Sequence, residues 1–247
     1  ATIVSQYLSD IITSVPTYVN DYNMIATNNS YTNAEAGCEG TGTYDITSNY
    51  VDMQMGEYNQ LLHVFSAGND GSNTCSPYPL SFATIKSGYQ VAKNVLTVGA
   101  IDTLYNPAVF TSRGPVNDGR LKPEIMASGL HVYSTAPPFY YERSSGTSMS
   151  GPMVAGVAVV LNEQYRKSNS GAIPPAALIK AVLCNAAEDL GNPGPDFTYG
   201  FGSLNARRAA AAIEENRYFI SNTFKSNVVL ERYCCCCKCF NNLNQRS

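Results

Sequence analysis

Short runs of apolar residues punctuate this chain, and most end in Gly, Asn, Ser or Pro. Residues 2–8 and 24–28 read as strands, as do 62–66, 95–100 and 124–127, each short enough to be a buried strand between turns. Between the first two, Ile11, Ile12, Val15, Tyr18, Val19 and Tyr22 recur at helical spacing, and Pro16 weakens that helix near its first turns. The stretch 148–166 is apolar on most sides, which predicts a central, buried helix. Two further helices are predicted over about 175–187 and 203–215, and the alternation around His131 predicts a short strand or hairpin. Strands separated by helices favour an α/β fold, a parallel sheet with helices on its faces.

The start of the buried helix carries the first chemical signal. Residues 146–152 read Gly-Thr-Ser-Met-Ser-Gly-Pro, a small-residue turn that sets Ser148 at a helix N-terminus. The unpaired N–H groups of a first helical turn can stabilise an oxyanion, and glycine lets a reacting carbonyl come close to the backbone. Pro152 is expected to lie in this same turn, where a missing donor costs little. Thr147 or Ser148 would serve equally as an ordinary helix cap, and these residues alone leave both readings open. Ser150 at the fifth position excludes the Gly-x-Ser-x-Gly elbow of the α/β-hydrolases.

The longer string resembles the active-serine segment of the subtilisin-like serine proteases, the subtilases. Other stretches resemble the same family in the same order. Phe65-Ser-Ala-Gly-Asn69-Asp-Gly is similar to the segment whose asparagine completes an oxyanion hole, and Asn94-Val-Leu-Thr-Val-Gly-Ala-Ile-Asp102 to the next core strand. Phe110-Thr-Ser-Arg-Gly-Pro115 and Leu121-Lys-Pro-Glu-Ile-Met-Ala-Ser-Gly129 resemble the loop and strand before the serine, and Tyr199-Gly-Phe-Gly-Ser-Leu-Asn-Ala206 the turn into the closing helix. The resemblance covers roughly residues 1–219.

It implies a serine endopeptidase acting on peptide or protein substrates, with Ser148 as nucleophile and Asn69 as oxyanion donor. It also implies that Asn29, Ser30, Tyr31 and Thr32 on one side, and Ser66, Ala67 and Gly68 on the other, wall a cleft in which an extended peptide lies as an added strand. Tyr31 either narrows the S1 pocket or shields the sheet edge. Cys38 and Cys75 follow two strands that the family places side by side, which implies a disulfide. Many relatives bind calcium, but no carboxylate cluster places a site here, and no cofactor is expected.

Two family motifs are absent: the strand-end Asp-Thr/Ser-Gly and the helical His-Gly-Thr-His. The chain therefore reads as the C-terminal part of a catalytic domain, lacking the N-terminal strands, with the missing N-terminal part as its partner. Such a chain is expected to be inactive alone. A triad of Asp45, His63 and Ser148 is conceivable in the family's order, but His63 lies inside an apolar strand that must also deliver Asn69. His131 reads as a surface or packing residue.

Composition narrows the remaining classes. Charged residues make up 14% of the 247, below the roughly 25% of typical soluble domains, which suits a secreted or cell-surface protein. A net charge of −3 without basic clusters argues against a nucleic-acid partner, and no apolar run approaches a membrane span. Cys184 reads as a buried small hydrophobe. Cys234, Cys235, Cys236, Cys237 and Cys239 belong to residues 220–247, which read as a tail of non-family origin, expected to be poorly ordered, whose cysteines match no standard zinc spacing. Two other functions remain conceivable: a non-catalytic peptide-binding module keeping the cleft, and a metal-binding or interaction protein acting through this tail.

Overall fold

The computed structural model describes residues 2–5, 10–34 and 37–220. Among them, four strands form a fully parallel sheet in the order β1 (Ala26–Asn29), β2 (Leu62–Ser66), β3 (Leu96–Ile101) and β4 (Ile125–Ser128). The register pairs Asn29 with Phe65, Ser66 with Val98 and Ile101 with Ser128, so the carboxyl ends of all four strands open on one side. Loops that carry chemistry in such sheets gather at that side.

Every residue of β2 and β3 is buried, because helices cover both faces. Leu62, Val64, Leu96, Val98, Ile125 and Ala127 form one face. Against them pack Val154, Ala155, Ala158 and Leu161 of the long helix α4 (Thr147–Ser168), with α5 (Ala176–Asn185) and α6 (Ala206–Glu214) behind. The alternate residues of β2 point the other way. Phe65 stacks on Tyr89 at 5.3 Å, within a layer supplied by α1 (Asp10–Thr13), α2 (Val15–Tyr22) and α3 (Ile46–Glu57) through Ile11, Val15, Val19 and Val51.

The structure revises several expectations. The helix expected over 11–22 is two pieces, broken at Ser14, and the second starts with Pro16 in its first turn, where a missing N–H is tolerated. Residues 2–5, expected to begin a strand, are exposed and carry no regular structure, and 6–8 lie outside the described residues. Ser203, expected in the last helix, instead bridges to Glu188 and Met126. Helix α3 was not anticipated at all. Its buried residues are Ser48, Val51 and Gln54, a face too polar to show as an apolar stripe.

Around His131 the expected hairpin is present as β5 (Val132–Ala136) and β6 (Tyr140–Ser144). The hairpin leads directly into α4. Beneath the amino ends of β3 and β4 lies a buried ion cluster. Glu124 accepts from Lys122 at 2.7 Å and Lys180 at 2.9 Å, and its second oxygen takes the Thr97 N–H at 2.8 Å. Residues 221–247, with the cysteine run, lie outside the described residues.

Candidate active site

Two loops converge where α4 begins. One leaves the end of β2 as Ala67-Gly68-Asn69, and the other returns from the hairpin as Ser145-Gly146-Thr147. Asn69 joins them. Its Oδ1 accepts the Thr147 N–H at 2.9 Å and the Thr147 hydroxyl at 3.0 Å, while Thr147 Oγ1 accepts the Gly68 N–H at 3.2 Å. The asparagine thereby satisfies the first orphan donor of α4 from outside the helix. With Oδ1 held, Nδ2 is the part of the amide left for another group, and it is close enough to Gly146 to lie 3.5 Å from where a Cβ there would stand.

Ser148 is the next residue. It is partly exposed, and its N–H belongs to the same unpaired first turn. The structure therefore brings the predicted nucleophile and the predicted oxyanion donor to one spot. Thr147, read in the sequence only as a candidate helix cap, is the residue that links them.

The residues expected to wall a cleft lie at the ends of β1 and β2. Ser66 and Ala67 are buried, and Gly68 adopts φ +107°, a conformation that favours glycine. The Gly68 carbonyl accepts from Ser112 N–H at 3.0 Å, and Ser112 Oγ accepts the Asp70 N–H at 3.0 Å, which fixes this loop. Opposite, Asn29 is buried and donates to Val64 O at 3.1 Å, while Ser30 and Thr32 are exposed. Tyr31 sits edge-on to Phe65 and Tyr89, both at 6.0 Å, and its hydroxyl donates to Asn29 Oδ1 at 2.9 Å. Burial raises its pKa, so the phenol stays protonated. Its ring is thus a fixed part of the layer opposite α4. A disulfide joins Cys38 to Cys75 and ties together the loops that leave the two walls. Nearby, Lys86 pairs with Asp70 at 3.3 Å and donates to Gly37 O at 3.0 Å.

The alternative triad is not assembled. Asp45 caps α3, accepting from Thr47 N–H at 2.9 Å and Ser48 N–H at 3.0 Å. Burial works against its charge, but these hydrogen bonds prevail and hold its pKa below the ordinary value. His63 is wholly buried on the face away from α4, its Nδ1 2.8 Å from Thr27 Oγ1, and burial pushes its pKa down to about 4. His131 is exposed, and its backbone N–H donates to Ser145 Oγ at 2.9 Å. Among the described residues, no histidine is hydrogen-bonded to Ser148.

Pro152 requires a correction. Because α4 starts at Thr147, this proline is the sixth helical residue and not part of the opening turn. Its missing N–H leaves the Ser148 carbonyl without the usual helical donor. Among the described residues no group of three His, Cys, Asp or Glu side chains is arranged to hold a metal ion.

Comparison with known proteins decides the family. The sequence model of the subtilase family, peptidase family S8, matches residues 2–202. The chain belongs to the subtilase family. Subtilisin DY of Bacillus licheniformis is 34% identical over 154 residues, which is 61% of this chain and 47% of that protein. The C5a peptidase of Streptococcus pyogenes is 34% identical over 185 residues, 72% of this chain and 15% of the peptidase. This subtilase chain thus spans less than half the length of either relative. Among solved structures, the prenylagaramide maturation protease PagA shares the fold with a TM-score of 0.62 at 24% identity, over 86% of this chain and 70% of that one.

Proposed function

We propose that this subtilase chain forms the nucleophile and oxyanion part of a secreted or cell-surface serine endopeptidase. What carries the reading is the junction at Asn69, Thr147 and Ser148, in which one side chain orders the start of the helix and leaves its amide beside the candidate nucleophile. In this mechanism Ser148 Oγ attacks the peptide carbonyl. Charge gathers on the carbonyl oxygen, where the Ser148 N–H and Asn69 Nδ2 receive it. Collapse releases the amine half of the substrate and leaves an ester on Ser148, which water then cleaves.

A serine hydroxyl needs a base to lose its proton, and neither His63 nor His131 reaches it. The general base and its carboxylate partner accordingly come from polypeptide outside these 247 residues, and the chain alone does not turn over substrate. The Cys38–Cys75 disulfide and the low charge content favour an oxidising, extracellular setting. Among the described residues no helix is long and apolar enough to cross a membrane.

Fluorophosphonate labelling tests this. The chain alone should not label, whereas protein extended by its upstream coding sequence should label at Ser148 and lose the label in Ser148→Ala. Stoichiometric labelling of the chain alone, lost in Ser148→Ala, would overturn the need for an outside base. A folded, extended protein that carries an aspartate and histidine and still fails to label would overturn the peptidase reading and favour a binding module.

A further inference from the structure

We infer that Ser30 is a positioning residue for Ser148, its hydroxyl standing in for the backbone donor that Pro152 lacks. In a regular helix the carbonyl of residue 148 accepts from the N–H of residue 152. Proline has none, and a carbonyl without a partner in a helix interior is unfavourable. Ser30 Oγ donates to the Ser148 carbonyl at 3.2 Å. The donor comes from the cleft wall at the end of β1, far away in sequence.

The surroundings fit this role. Asn28 Nδ2 donates to Ser30 Oγ at 3.3 Å, so the serine accepts from one side and directs its own proton to the helix. Gly151 makes room for the pair: a Cβ there would stand 3.1 Å from Asn28 Oδ1 and 3.9 Å from Ser30 Oγ. A Cβ there would press on the Asn28 amide oxygen. Asn69 holds the same turn from the β2 side through Thr147. The candidate nucleophile is thus tied to both walls of the cleft. The tie through Ser30 lets a peptide lying along residues 29–32 bear directly on the backbone of the residue that attacks it. This role rests on Ser148 being the nucleophile proposed above, although the hydrogen bond can be read independently of it.

Ser148-Met149 is the sole Ser-Met dipeptide in the sequence, so isotope labelling of serine carbonyl carbons and methionine nitrogens gives a single NMR correlation that reports on this carbonyl. Ser30→Ala should move that correlation, and Ser30→Thr, which keeps the hydroxyl, should leave it near its original place. Pro152→Ala restores a backbone donor, and in that background Ser30→Ala should move the correlation no further. A correlation unmoved by Ser30→Ala, or moved equally in the Pro152→Ala background, would overturn the hydrogen bond. In the extended protein that labels with fluorophosphonate, Ser30→Ala should slow labelling roughly fivefold, the loss of one ordinary hydrogen bond, with recovery in Ser30→Thr. Equal labelling rates would overturn the positioning role while leaving the peptidase reading intact. Absence of labelling at Ser148 in any form would overturn both the positioning role and the reading on which it rests.

Discussion

Replacing Glu124 with Gln removes the sole carboxylate from a site that also holds two ammonium groups. Lys122 is 1% exposed, and besides Glu124 its Nζ reaches Thr97 Oγ1 at 3.0 Å and Val95 O at 3.4 Å. Burial pushes its pKa down to about 8, with the Glu124 charge opposing that fall. Breaking a buried pair in this way costs about 3–5 kcal/mol. Without Glu124 the lysine can shed its proton, and because wild-type Lys122, at about 8, already bears most of the cost of being neutral, that loss accounts for only about 1.4 kcal/mol of the deficit at pH 7.

The assay is urea unfolding of wild type and Glu124→Gln between pH 7 and 9. In the variant, folded Lys122 is already neutral near pH 7 while the unfolded chain still binds the proton, so stability rises with pH. In the wild type the same rise starts only above about pH 8. The deficit should therefore shrink by about 1 kcal/mol from pH 7 to 8 and by about 0.4 kcal/mol more by pH 9. A variant within 1 kcal/mol of wild type at pH 7, on the order of an exposed pair, or a deficit that ignores pH, would refute the reasoning.

Two further outcomes follow from buried or cross-linked groups. Replacing Cys38 and Cys75 together with Ala opens a cross-link spanning 37 positions and should cost about 4 kcal/mol by chain entropy, measured as a lower urea midpoint that reductant no longer affects. His63, with a folded pKa of about 4 against an ordinary 6.5, stays neutral while the unfolded chain takes up a proton, so stability should fall by roughly 3 kcal/mol as pH drops through that window. Acid titration of His63→Phe, which has no such proton to bind, should lack that component. An unchanged acid profile would show that His63 is not the source.

What could be read from the sequence was whatever one segment declares by itself. Strands β2 and β3 are buried on both faces, so they appear as unbroken apolar runs, and α4 is apolar on most sides because it crosses the sheet. Helix α3 hid because its inward residues include Ser48 and Gln54, whose polar atoms bond to Gly88 O and Ile11 O. Such partners are invisible before the chain folds. Asp45 drew attention as a carboxylate available for catalysis, whereas the pattern Asp45-x-x-Ser48 was announcing a helix start. At the site, Ser148 and Asn69 stood out through family resemblance. Thr147 and the Ser30 contact required coordinates, since Ser30 and Ser148 are 118 positions apart. The Lys122, Glu124 and Lys180 cluster was equally hidden, because one of its lysines arrives from α5.

Helix α4 makes the candidate nucleophile the tip of a rigid rod wedged through the middle of the molecule. Displacing that tip would disturb the same side chains that keep the chain folded, so evolution has little freedom to retune it in place. Diversity in what such a scaffold cleaves must instead accumulate in the loops around a fixed point. Libraries built on this chain would do best to randomise those margins and leave the rod untouched.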